Sequence, residues 1–125
     1  MSHLAIIEIA DWGATRARVH ALADALSRGG TRPSADYHLG FADAAQLLAE
    51  LPPKRLQTLR AIKRSGPTSI YAVAKQLGRN YSNVHADVHK LIEHGLVERD
   101  QDDRVFVPWD DVVVRVNASL LNAAA

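Results

Sequence analysis

The run from Ser69 to Leu91, "SIYAVAKQLGRNYSNVHADVHKL", decides how this chain is read. In its first part Ile70, Val73, Ala74 and Leu77 recur at the i, i+3, i+4, i+7 spacing that lays one apolar stripe along a helix. Ser69 stands just before the stripe, where a hydroxyl can accept a bond from an otherwise unpaired amide of the first turn. Gly78 interrupts the pattern, and Asn80 is placed to cap a second helix in which Tyr81, Val84, Val88, Leu91 and Ile92 face inward. Gly95 suits the left-handed position that ends such a helix, with Leu96 folding back on Leu91. The spacing predicts two short amphipathic helices with only Gly78, Arg79 and Asn80 between them.

Working outward, "PKRLQTLRAIKR" (Pro53–Arg64) reads as a further helix. Pro53 suits its first turn, and Leu56, Leu59 and Ile62 share one face until Ser65–Gly66–Pro67. Downstream, "LVERD" and "RVFVP" are strand-like runs joined by the turn-prone "QDD", which predicts a β-hairpin. The order helix, helix, tight turn, helix, hairpin is that of a winged helix-turn-helix: a three-helix core plus a β-hairpin wing, over residues 45–109. A three-helix scaffold that binds only protein shares this order. Before it, "LAIIEIA" (Leu4–Ala10) reads as a strand, Ala14–Arg28 as a helix and "DYHLGF" (Asp36–Phe41) as a strand. Residues 1–44 are thus a strand-helix-strand extension, expected to serve as a dimer or partner element. Residues 110–125 add one strand, Asp111–Val116, and a tail. The expected class is α+β.

Composition narrows the chemistry. There is no cysteine among the 125 residues, which removes disulfides, thiolate nucleophiles and Cys-based metal sites. The N-terminus has neither a basic leader nor about 20 consecutive apolar residues, so a soluble, cytoplasmic protein with no membrane partner is expected. The formal net charge of +1 conceals an asymmetry: −2 over residues 1–51, +6 over 52–99 and −3 over 100–125. A basic middle flanked by acidic ends invites a polyanionic partner there.

The second helix of the opening stretch carries the candidate site. With Val84, Val88 and Leu91 inward, its other face holds Ser82, Asn83, His85, Ala86, His89 and Lys90, with Asp87 the one acid beside it. Asn can bond both atoms of adenine's major-groove edge, and Ser and His can reach base edges. Ser82, Asn83, His85 and His89 are therefore the expected base-reading residues. Lys75, Arg79, Lys90, Arg99 and Arg104 are the expected phosphate contacts, which give affinity rather than sequence choice. Asp102 and Asp103 at the hairpin tip oppose deep insertion of a wing. His85 and His89, four residues apart, could chelate a metal, but Asp87 projects away from both, His94 lies on a different part of the helix and no obvious partner strand offers a third ligand, so no metal or other cofactor is expected. No phosphate loop, H-E-x-x-H or nucleophile elbow occurs, so no enzyme activity is expected.

The stretch from Leu51 to Val114, strongest in "KRLQTLRAI", "GPTSIYAVAKQLGR", "NVHADVHKL" and "GLVERD", resembles winged helix-turn-helix regulators of the MarR/ArsR-like kind. It looks most like a family of DNA-binding proteins encoded beside small toxins and presumed to be their antitoxins. The resemblance implies a homodimeric repressor that occupies an operator in double-stranded DNA. Its alternative implication is an antitoxin whose main act is to bind and neutralise a toxin protein while autoregulating its operon. The chain departs from those relatives at Ala86, where they often carry Arg, at Asp103, where they often carry Gly, and at Ala72, where Glu would complete a capping box with Ser69.

Overall fold

The computed structural model describes residues 3–9, 20, 23–24 and 36–116. They form an α+β protein built from nine elements. Strands β1 (Leu4–Ile9), β2 (Tyr37–Phe41) and β5 (Asp111–Arg115) make one sheet. Helices α1 (Ala44–Glu50), α2 (Pro53–Ser65), α3 (Ile70–Leu77) and α4 (Tyr81–Glu93) follow β2 in the chain, and the short strands β3 (Glu98–Arg99) and β4 (Val105–Phe106) pair antiparallel. None of the helices is long and apolar enough to cross a membrane, among the described residues.

The three-stranded sheet has the order β2-β1-β5, and both pairings are parallel. Parallel neighbours need a long crossover, and between β1 and β2 that crossover contains the span Ala14–Arg28 expected as a helix. That span lies outside the described residues except for His20, Ala23 and Asp24, which are helical. The sheet joins the segment 1–44, expected as an N-terminal extension, to the segment 110–125, expected as a strand and tail: β5 lies directly on β1, with Leu4 beside Asp111 and Glu8 beside Arg115. Strand pairing between segments this far apart leaves no local pattern in the sequence.

Period-two alternation gives the sheet its two faces. Ala5 and Ile7 are fully buried, and with Ile9, Tyr37, Leu39, Phe41 and Val112 they pack on the helical core. Ile6 points to the opposite face and is also buried. On that face His38 Nδ1 stands 2.9 Å from Glu8 Oε1.

Helices α3 and α4 form as their caps and stripes predict. Asp43 caps α1 through the amide of Gln46, Ser69 caps α3 through Ala72, and Asn80 caps α4 through Ser82. Leu59, Ile62, Val73, Val84, Val88 and Leu91 meet in one core with Leu96, Val97 and Val105. At the end of α4 the amides of Leu96 and Gly95 return to the carbonyls of Leu91 and Ile92, each at 3.0 Å, the paired bonds of a Schellman stop. Gly95 has φ 77°, and a Cβ there would stand 2.9 Å from the Tyr37 hydroxyl, so both backbone and space require glycine. The hairpin is tied to the α2–α3 connection by two bonds that Thr68 and Val105 exchange, at 3.0 and 2.7 Å.

Tyr81 corrects the inward set of α4. It occupies the first turn, past the end of the core, and is 48% exposed. Its ring lies over the side of the same helix, 5.7 Å from that of His85.

Leu91 is fully buried in the core that the helices share. Leu91→Ala should cost about 2–5 kcal/mol of stability, the usual range for emptying a packed leucine site. Urea denaturation would measure it; a loss below about 1 kcal/mol would place this residue outside the core.

Candidate nucleic-acid interface

Helix α4 is divided by the burial of its residues. Val84, Asp87, Val88 and Leu91 lie inside, whereas Ser82, Asn83, Ala86, His89 and Lys90 are exposed and His85 is half-buried. Hence the expected base-reading residues Ser82, Asn83, His85 and His89 share one side of the helix. Lys90 stands on the same side and pairs loosely with Glu93 at 3.3 Å. An exposed pair of this kind is worth little and gives way easily to a phosphate.

Asp87 is not the surface acid that its polarity suggests. It is 8% exposed and sits between two guanidinium groups. Arg55 Nε donates to its Oδ1 at 3.2 Å, and Arg79 Nη1 to its Oδ2 at 2.9 Å. Thr58, fully buried on α2, receives Arg79 Nη1 at 2.9 Å and passes its own hydroxyl hydrogen to the Lys54 carbonyl at 3.0 Å. Arg55 also donates to the Glu50 carbonyl at 2.6 Å. Thus one carboxylate joins α2, the α3–α4 connection and α4, and it leaves no buried side-chain polar atom unpaired among the described residues. Arg79, expected at a phosphate, takes part in this network. The charge count alone carried no sign of that pairing; the signal was the position of Asp87 on the stripe 84, 87, 88, 91.

Beside the network runs an open groove of about 640 Å³ between the start of α2 and the exposed side of α4. Lys54 and Arg55 line one wall, and Asn83 and Ala86 the other. The small side chain of Ala86 leaves this groove open. Lys54, exposed at the rim, was not among the expected contacts, although its place in the first turn after Pro53 could have suggested it.

The two histidines are paired. Their Nε2 atoms lie 3.2 Å apart, a distance that a single shared proton can bridge, and the Arg99 guanidinium lies 3.3 Å from His89 Nε2. No group of three metal-ligating side chains occurs among the described residues.

The hairpin is more self-contained than its arginines suggest. Arg99 donates to Asp103 at 2.6 Å, and Arg104 to Asp102 at 2.9 Å, with Asp100 a further 3.4 Å partner. Asp103 holds the turn at φ 61°, a conformation that glycine adopts without strain. Arg99 and Arg104, expected at phosphates, are each ion-paired with an aspartate of their own turn. Lys75 is exposed in the last turn of α3 and carries no ion pair among the described residues.

At the other end of α4, a second set of contacts binds the helix to the sheet. The Tyr37 hydroxyl donates to the His94 carbonyl at 2.6 Å, and Trp109 Nε1 to the Gly95 carbonyl at 3.0 Å. The two rings stack with centroids 5.3 Å apart. Burial pushes the Tyr37 hydroxyl above its ordinary pKa of 10.0. His94 Nε2 meets Glu50 at 3.2 Å, and its ring stands edge-on to Phe41.

These elements define an α+β protein that clamps one helix at both ends and turns a polar side of it outward. The chain belongs to the HVO_A0114 family, whose profile matches residues 50–114, more than half of its length. That match runs from the end of α1 to β5, so it includes the whole Asp87 network and the hairpin. No curated protein and no solved structure matches the chain.

Two outcomes follow from these contacts. Asp87→Ala should destabilise the protein by about 3 kcal/mol, because two guanidinium groups would face each other without their carboxylate; thermal or urea unfolding reads this, and a loss within about 0.5 kcal/mol would show that the network is not needed. Asp100 is held below the ordinary aspartate value of 3.8, first by the Arg104 amide, then by the Asp102 amide and the Arg104 charge. Its contribution to the turn is present above that ordinary value and is lost as pH falls through the lowered one. The Asp102 and Arg104 amide signals in an NMR titration should therefore move with a midpoint below 3.8.

Proposed function

We propose that this protein is a sequence-specific regulator of transcription that binds double-stranded DNA, with α2, α3 and α4 acting as a winged helix-turn-helix and β3–β4 as its wing. In this reading it works in the cytoplasm as a dimeric repressor, occupying an operator. The observation that carries it is the division of α4: one side anchored by Val84, Asp87, Val88 and Leu91, the other an exposed row of hydrogen-bonding side chains.

A helix used in this way lies in the major groove, with its first turns over base edges. Ser82 and Asn83 stand there, and His85 and His89 follow one and two turns later. Asn83 is the main base reader, since its amide matches the donor and acceptor of adenine. Lys54, Lys75 and Lys90 contact phosphates, and the open groove at Ala86 takes the DNA backbone rather than a base. Arg79 acts indirectly by holding α4 at its angle through Asp87. The acidic hairpin tip, where Asp100, Asp102 and Asp103 surround Arg99 and Arg104, keeps the wing from entering the minor groove deeply.

The test is binding to a DNA fragment carrying the gene's own promoter, measured over a range of salt. Affinity should fall steeply as salt rises, each phosphate contact adding roughly 0.9 to the slope of log K against log salt. Asn83→Ala should cost about 1–3 kcal/mol on the preferred site and relax the choice of sequence there. Lys90→Ala should weaken all sequences alike and flatten the salt dependence by about one contact per copy. An affinity indifferent to salt would remove the DNA reading, and an equal loss on every sequence for Asn83→Ala would remove that residue from the base-reading set.

A further inference from the structure

Strand β5 has a neighbour on one side only: among the described residues, its outer edge pairs with nothing. Its sequence is Asp-Val-Val-Val-Arg, with no proline and with charge only at its ends. Edges of this kind are open to pairing with another strand unless something covers or interrupts them. Val114, and Val116 just beyond the strand, are each 48% exposed, a large fraction for a valine in or beside a sheet. Asp111 and Arg115 are exposed too and take part in no ion pair with a described residue; among the described residues, the Asp111 carboxylate accepts only from the next amide in the chain.

From this edge we infer that two copies of the chain join through β5, antiparallel about a two-fold axis at Val113. The register follows from the strand itself. Two antiparallel strands related by a two-fold axis keep their faces aligned only if each residue meets one of the same parity. With Val113 at the axis, Asp111 of one copy lies opposite Arg115 of the other, and this happens twice. Val112 of one copy lies opposite Val114 of the other, also twice, so the exposed valine is covered. Moving the axis to Val112 or Val114 sets each charged residue against a valine or an asparagine or tryptophan instead. Only one register makes the edge complementary to itself.

The result is a single six-stranded sheet, β2-β1-β5-β5-β1-β2, with its one antiparallel step at the centre. Such an interface is isologous, the form most homodimers take. On the helical side of β5, a cavity of about 320 Å³ lined in part by Leu56, Leu59, Trp109 and Val112 opens beside the axis. Its apolar wall is continuous with the valine pairs. The inference deepens the proposed function by supplying the surface of its dimer, and it rests on that reading only for the use the dimer is put to.

Charge reversal tests both the partner and the register. The full-length protein should sediment as a dimer. D111R sets arginine against Arg115 twice, and R115D sets aspartate against Asp111 twice. Each variant should self-associate roughly tenfold more weakly or worse, since like charges directly opposite across strands destabilise the pair. An equimolar mixture of D111R and R115D should recover association as a heterodimer, and so should the double variant D111R/R115D with itself. Circular dichroism of each single variant checks that it is folded, and recovery in the mixture excludes misfolding as the cause of loss. A monomer at every concentration, a dimer indifferent to both single changes, or a mixture that fails to recover would each overturn the pairing. DNA binding by a monomer would overturn it while leaving the regulator reading intact. A dimer with this charge pattern that binds no DNA would support the pairing and remove the regulator reading.

Discussion

The carboxylate of Asp87 is the constraint on which the geometry of the helical half depends. Three helices of this length share a small core, and packing alone leaves their relative rotation loosely set. Asp87 removes that freedom because it must lie within bonding distance of Arg55 and Arg79 at once. Arg55 comes from α2 and Arg79 from the connection between α3 and α4, so one residue of α4 is triangulated from two directions. Thr58 closes the arrangement from beneath, where any apolar side chain would leave the Arg79 guanidinium short of an acceptor. A buried charge with both partners present adds little to stability over an apolar core of the same shape. What it adds here is a fixed angle, and that angle decides how the exposed side of α4 is presented.

The C-terminal half of α4 is fixed by different means. Tyr37 from β2 and Trp109 from the approach to β5 stack on each other and bond successive carbonyls, those of His94 and Gly95. Both carbonyls belong to the end of a helix, where acceptors would otherwise lack partners. The parallel sheet therefore does more than cover the core: it grips the helix end. Its two aromatic residues come from opposite edge regions of the sheet, so a change in the sheet's outer strands reaches α4 through rigid rings. If β5 pairs with a second copy, the same rings place two α4 helices at a set separation.

The sequence discloses local features well and remote ones poorly. The caps Ser69 and Asn80, the stripe of α3, the Schellman stop at Gly95 and the outward placement of Asn83, His89 and Lys90 all follow from spacing within one element. Tyr81 lies on the inward side by periodicity and is nonetheless exposed, because helical periodicity says which side a residue is on but not whether a neighbour lies there. The burial of Asp87 agrees with its position, since 84, 87 and 91 are three and four apart, and runs against its polarity. Arg79, Arg99 and Arg104 count as free cations in a charge sum, and only three-dimensional pairing shows that aspartates hold them. The strands were each legible, yet their parallel order was not, since nothing in Asp111–Arg115 points to Leu4–Ile9.

That last pairing has a kinetic meaning. The backbone bonds and side-chain contacts at its start join His3 to Asp110, 107 residues apart. During synthesis β1 leaves the ribosome first and gains β2 after one crossover, but its other edge stays open until the entire helical half and hairpin have been made. Contacts of such long sequence separation form late and slow the chain's folding. The helices, whose contacts are local, can be complete before β5 emerges. The strand made last thus seals the strand made first, and the molecule spends its assembly with its most apolar strand half covered. A nascent chain in that condition is prone to pair with its neighbours on the same message, through the β1 edge that β5 covers in the finished fold.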